Sequence, residues 1–194
     1  MIAQSQFIEM FESKGYPLAT LDSFANITTG STPSRANSEY WGGNRPWVCA
    51  EDMKDKYIYG TSQKLTDCGY ASCKHLPPDT LLYVCRGSIG VMAINKIECA
   101  TNQSICTATC DNEKCDVEYL YYALLYQRMS IKQMGTGTSF KSLNQSSFSA
   151  LKIILPPIQA QKRFVSLVKQ ADKSKFELKE AIKRIDDVMK ALMN

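Results

Sequence analysis

Few residues in this chain are able to do covalent or metal chemistry, and they are scattered. His75 is the only histidine, so a Cys–His pair or a Ser–His–Asp triad has to use it. It stands beside Pro77-Pro78 in a turn, a poor seat for a buried, oriented base. Cys68, Cys73 and His75 are close in sequence, as are Cys106, Cys110 and Cys115, but neither group has the paired C-x-x-C spacing of a structural zinc site. On a strand, Cys106 and Cys110 share one face, which suits small core hydrophobes equally well. Gly135-Thr136-Gly137 looks like the start of a phosphate-binding loop, yet it lacks the third glycine and follows a helical pattern rather than a strand. No GxxxxGK[ST] motif occurs. Neither Pro77-Pro78 nor Pro156-Pro157 has the flanking residues of an amino-methyltransferase Pro-Pro motif. The expectation is a chain with no catalytic residue, no metal site and no cofactor of its own.

A second set of residues suits binding. Ser31, Thr32, Ser34, Arg35 and Asn37 share one loop, with Tyr40, Trp41 and Trp47 nearby. Arg86 lies in the turn RGSIG, and Asn102-Gln103 follows a strand. Thr136, Thr138, Ser139, Lys141 and Asn144 lie in a stretch, 128–159, that holds four basic residues and no acid. Hydroxyls, glycine amides, Lys and Arg hold phosphates, while Arg, Asn and Gln read base edges. Ordinary turn chemistry explains any one of these residues, and both tryptophans serve equally well in a core.

The elements that must position them follow from pattern. The 194 residues are 44% hydrophobic and 22% charged, which fits about one globular domain and excludes a disordered or collagen-like chain. No apolar run is long enough for a transmembrane helix. The first residues lack a basic and an apolar region of a signal peptide, so a cytoplasmic chain with reduced cysteines is expected. Ile2–Phe11 reads as a short helix. Leu18–Thr29 reads as a strand entering the loop Thr29–Gly43. Short strands are expected at Trp47–Ala50, Thr80–Cys85, Gly90–Asn95 and Ser104–Cys110, a twisted β core rather than a βαβ sheet. Asp116 is a plausible N-cap for a helix reaching Met134. A turn at Asn144–Ser149 precedes a strand, Leu151–Leu155, stopped by Pro156-Pro157.

The C-terminal segment carries the clearest pattern. Phe164, Ala171, Leu178, Ile185 and Leu192 are seven apart, and Leu167, Ala181 and Val188 fill the matching d positions, with Ser174 out of pattern. That heptad predicts a projecting helix with a coiled-coil seam, ~50 Å long. The other reading is an amphipathic helix folded back on its own domain. Residues 160–194 hold nine Lys/Arg and five Asp/Glu, while the first 159 residues are neutral.

The order of these pieces resembles the specificity (S) subunit of type I restriction–modification systems. The matching stretches are Ile27–Val48, Leu76–Gly90, Ala100–Ile105 and Gly135–Val165, the last ending in Leu-Pro-Pro, x-x-x-Gln and a long helix. The resemblance implies an α+β chain in three parts. These are a short N-terminal helix (1–14), a mixed α/β target recognition domain (15–157) and a spacer helix (158–194) that pairs as an antiparallel coiled coil. It implies a non-catalytic subunit that reads one half of a bipartite double-stranded DNA site. Its partners would be methyltransferase subunits, which carry S-adenosylmethionine, and a restriction subunit. Family members are about twice as long. A half-length form, natural or truncated, would have to pair through the seam with itself or with another half-subunit. Base-reading residues vary most within the family and do not carry over, so the expected DNA-binding residues are taken from the polar loops: Ser31, Thr32, Arg35, Arg86, Asn102, Gln103, Thr136, Thr138, Lys141 and Asn144. The implied dimerisation residues are Phe164, Leu167, Ala171, Leu178, Ile185, Val188 and Leu192. The competing reading is a non-catalytic coiled-coil protein, a recognition-domain relic that competes for the methyltransferase subunit.

Overall fold

A computed structural model describes residues 2–136 and 143–192. The centre is a five-stranded sheet in the order β2 (Ala25–Thr29), β9 (Ile105–Cys110), β6 (Thr80–Val84), β7 (Met92–Asn95), β4 (Tyr57–Ile58). All its pairings are antiparallel except β7 with β4. A three-stranded sheet joins β5 (Gln63–Leu65), β3 (Trp41–Val48) and β8 (Ala100–Thr101). A two-stranded ribbon pairs β1 (Leu18–Thr20) with β10 (Lys152–Ile154).

The middle strand β6 is buried at every position, because the sheet is covered on both faces. Leu81 and Tyr83 point into the larger cluster, with Ile94, Cys106 and Ala108. Leu82 and Val84 point the other way, against Val48, Ile58, Ala93 and Ile105. This is period-2 alternation with two cores instead of one.

Three helices close the larger core: α1 (Ile2–Phe11), α3 (Val117–Thr136) and α5 (Ile158–Leu192). Phe7 and Phe11, four residues apart on α1, meet Tyr119 of α3 and Phe164 of α5 with ring centroids 5.3–5.9 Å apart. The short helices α2 (Asp67–Ala71) and α4 (Gln145–Ser149) are capped by the side chains of Thr66 and Asn144. The expected cap of α3 is also present: Asp116 Oδ1 accepts from the backbone N–H of Glu118 (2.8 Å) and of Tyr119 (3.3 Å).

One correction concerns the long helix. It starts at Ile158, on the residue after Pro157, and runs for 35 residues. Phe164, expected at the head of an open seam, is fully buried in the aromatic cluster with α1 and α3. Leu167 and Ala171 are half-buried. Leu178, Ile185 and Val188 are exposed by 63%, 59% and 59%, so an unpartnered stripe begins only past Ala171. Phe176, Ile182 and Met189 widen that stripe beyond strict a and d positions.

Among the described residues no helix is long and apolar enough to cross a membrane. All eight cysteines carry free thiols.

Candidate nucleic-acid interface

The antiparallel order gives the five-stranded sheet two unlike ends. At one end β2 leaves through Thr29, β9 enters at Ile105, β6 leaves through Val84 and β7 enters at Met92. Loops that are far apart in sequence, near 30, 86 and 102, therefore emerge side by side. The opposite end carries Cys110–Asp116 and the foot of α5.

The loop after β2 is fastened to the turn before β9. Ser31 N–H donates to the Thr101 carbonyl (2.8 Å), and Gly30 N–H donates to that of Ile105 (3.4 Å). The approach is so close that a Cβ on Gly30 would lie 2.0 Å from the Thr101 oxygen. Thr32 Oγ1 donates to Gln103 Oε1 (2.5 Å), joining the two segments through side chains. Asn102 Oδ1 accepts from Ser104 N–H (2.9 Å), which shapes the turn itself.

The two indoles hold the outer half of that loop. Trp47 Nε1 donates to the Ser31 carbonyl (3.2 Å), and Trp41 Nε1 donates to that of Ser34 (3.1 Å). Their rings meet edge to face at 5.1 Å. The Arg35 guanidinium lies over the Trp41 ring, its Cζ 3.6 Å from the centroid.

Arg86 stands on the adjoining turn. Cys85 N–H donates to the Ser104 carbonyl (2.8 Å), and Leu143 N–H donates to that of Cys85 (2.9 Å). Gly87 takes φ 78°, a left-handed conformation that lets the chain reverse there. Gln145 Nε2 donates to the Ile27 carbonyl (3.0 Å), bringing the start of α4 to the same end of the sheet.

The expected DNA-binding residues thus divide. Ser31, Thr32, Asn102 and Gln103 converge and hold the loops in shape, and Asn144 caps α4 by accepting from Ser147 N–H (2.8 Å). Arg35 and Arg86 project from the same end, exposed, and among the described residues no carboxylate pairs with either. Thr138 and Lys141 lie outside the described residues, as do the side chains of Thr136 and Leu192.

His75 is held against α2 by Tyr70. Its Nε2 sits 2.8 Å from the Tyr70 carbonyl, and its ring stacks on Tyr70 at 4.1 Å.

Two structural groups escaped sequence reasoning. Glu118, nearly buried, takes an ion pair from Lys56 and a hydrogen bond from Tyr57 Oη (2.8 Å), with Lys169 of α5 at 3.8 Å. Burial pushes its carboxyl up, but the bonds from Lys56 and Tyr57 and the charges of Lys56 and Lys169 outweigh it, so its pKa lies below the ordinary value. Gln161, fully buried, joins the foot of α5 to the loop before α3. The x-x-x-Gln ending was visible in the sequence, but nothing there gave the residue's partners.

Comparison with known proteins agrees with this architecture. The chain is 28% identical over 191 residues to the type I restriction enzyme HindI specificity subunit of Haemophilus influenzae, covering 93% of this chain and 41% of that one. It is 28% identical over 166 residues to the MjaIX specificity subunit of Methanocaldococcus jannaschii, covering 82% of this chain and 38% of that one. Its fold matches the crystal structure of the HsdS subunit from Thermoanaerobacter tengcongensis with a TM-score of 0.69 at 16% identity, over 93% of this chain and 44% of that one. The chain spans about two-fifths of the length of these relatives. Residues 14–185 match the family of the type I restriction modification DNA specificity domain, and the chain belongs to that family.

Proposed function

We propose that this chain is a DNA-recognition subunit that reads one half of a bipartite double-stranded target with the loops at the 30/86/102 end of its sheet. The observation that carries this is that two exposed arginines, paired with no carboxylate among the described residues, stand on adjoining loops at that end, Arg35's tied by side-chain bonds and Arg86's by backbone bonds. Phosphates on a duplex are bound by such cations, and base edges by such forks.

In this reading the chain catalyses nothing. It docks methyltransferase subunits, which carry S-adenosylmethionine and methylate an adenine, and it recruits a restriction subunit where one exists. The exposed stripe from Leu178 to Val188 pairs antiparallel with the same helix of a second copy or of another half-subunit. Pairing of two identical copies through a two-fold axis reads a palindromic site with a fixed gap. A target recognition domain (15–157), a short preceding helix (1–14) and a pairing helix (158–194) divide the labour.

The test is a methylome comparison. The chain is co-expressed with a cognate methyltransferase subunit, and methylated adenines are mapped against a control without the chain. A new two-part motif with a fixed gap supports the reading. No new motif, with both proteins folded and associated, shifts the assignment to a competitor that binds the methyltransferase without reading DNA.

A further inference from the structure

The arginines of the β3 region are held in two different ways. Arg45 Nε is bonded to Asp67 at 2.6 Å, so its charge is compensated within the chain. Arg35 has no such partner among the described residues. It lies 3.6 Å over the Trp41 ring and 5.0 Å from the Trp47 centroid. Stacking uses the face of a guanidinium and leaves its N–H donors, which lie in the plane, unspent.

The platform is also fixed relative to the loop that bears Arg35. Both indole N–H groups bond to carbonyls of that loop, Ser31 and Ser34. The loop in turn is tied to the 101–103 turn through Ser31 and Thr32. An arginine on a free loop gives up rotamer entropy when it binds, whereas this one is already oriented.

We infer that Arg35 is the base-reading residue of this interface, its stacked guanidinium donating two of its in-plane N–H groups to O6 and N7 of one guanine in the major groove. Trp41 is its positioning residue. The inference rests on the recognition reading above and adds a base, a groove and a residue to it. A planar, bidentate donor matches the guanine edge and no other base edge in that groove. A lysine in its place keeps the charge but loses the fork.

The experiment is selection of a randomised duplex library on the full chain, followed by affinity measurements on the enriched duplex. The enriched motif is expected to hold a guanine whose replacement by 7-deazaguanine, which lacks N7, weakens binding about tenfold or more. Inosine, which keeps O6 and N7, is expected to bind like guanine. In Arg35→Lys the salt dependence stays while the 7-deazaguanine effect disappears, and Trp41→Leu shrinks that effect whereas Trp41→Phe keeps most of it. A motif whose guanine preference survives in Arg35→Lys and Arg35→Ala overturns the assignment alone. So does a loss in Arg35→Ala that is equal for all sequences, which marks a phosphate contact. Enrichment of no motif by folded wild-type chain overturns the recognition reading, and the Arg35 assignment with it.

Discussion

Gln161 Oε1 accepts the backbone N–H of Asp116 at 2.9 Å, across 45 residues of sequence, in a fully buried position. The same amide donates from Nε2 to the carbonyls of Lys114 (2.9 Å) and Pro156 (2.8 Å). One side chain thus satisfies three backbone groups. It does so where the cap of α3, the last strand and the foot of α5 converge. No other residue type supplies an acceptor and two donors at that reach without a charge.

Gln161→Leu leaves those three groups without partners in the interior. Each buried orphan costs ~1–3 kcal/mol, and partial relaxation lowers the sum. The expected loss is about 3 kcal/mol, read as a midpoint shift in urea with an unchanged slope. Gln161→Glu is expected to be similarly damaging at neutral pH, because a carboxylate cannot donate to the two carbonyls.

Glu118 makes stability depend on pH with a defined sign. Its folded pKa is below the ordinary 4.5, so its contribution is present above that ordinary value and fades as pH falls through the lowered one. Glu118→Gln should therefore cost most at neutral pH, about 3 kcal/mol, because Lys56, Lys96 and Lys169 lose the carboxylate they share. The difference from wild type should shrink as pH drops below 4.5. Denaturation midpoints measured from pH 7 to pH 3 check both parts.

Gly30→Ala should separate binding from folding. The added Cβ overlaps the Thr101 carbonyl oxygen, so the loop must lift from the 101–104 turn. Duplex affinity is expected to fall at least tenfold, while thermal unfolding shifts by only a few degrees. Circular dichroism and a binding titration on the same preparation decide it.

Arg86→Ala should remove about one unit from the slope of log affinity against log salt, as loss of a single phosphate contact does. An unchanged slope places Arg86 off the DNA.

The long helix should respond differently at its two ends. Phe164→Ala is expected to destabilise the fold by ~3–5 kcal/mol, as for a large aromatic removed from a core. Leu178→Lys with Ile185→Lys should leave the unfolding midpoint nearly unchanged and lower the solution mass, if the stripe pairs with another helix. Sedimentation and thermal melts report the two effects independently.

The sequence was legible where local chemistry decides. The Asp116 cap, the α1 boundaries and the strands near 80, 92 and 105 follow from turn residues and period. Phe164 shows the limit: a heptad states that one face is apolar, but not whose surface covers it. From sequence the start of β3 reads as loop, because Gly42-Gly43 follows the Ser- and Asn-rich run. A register shift between Trp41 and Arg45 absorbs those glycines into the strand. The two-residue strands β4 and β8 exist only through pairing with distant partners, which no local window contains. At the candidate interface, Arg35, Arg86 and Gln103 were visible as residue types. The indole platform under Arg35 depends on a three-dimensional meeting of positions 35, 41 and 47.

The foot of α5 is also a pivot. From Gln161 to Leu192 the helix rises ~46 Å at 1.5 Å per residue, so an angular error at the base is magnified along its length. A tilt of roughly 4° displaces the far end by about 3.4 Å, the rise of one base-pair step. The three hydrogen bonds of one buried amide therefore act as an angular clamp. In the proposed pairing of two half-subunits, its stiffness would set how finely a helix of this length fixes the gap between half-sites.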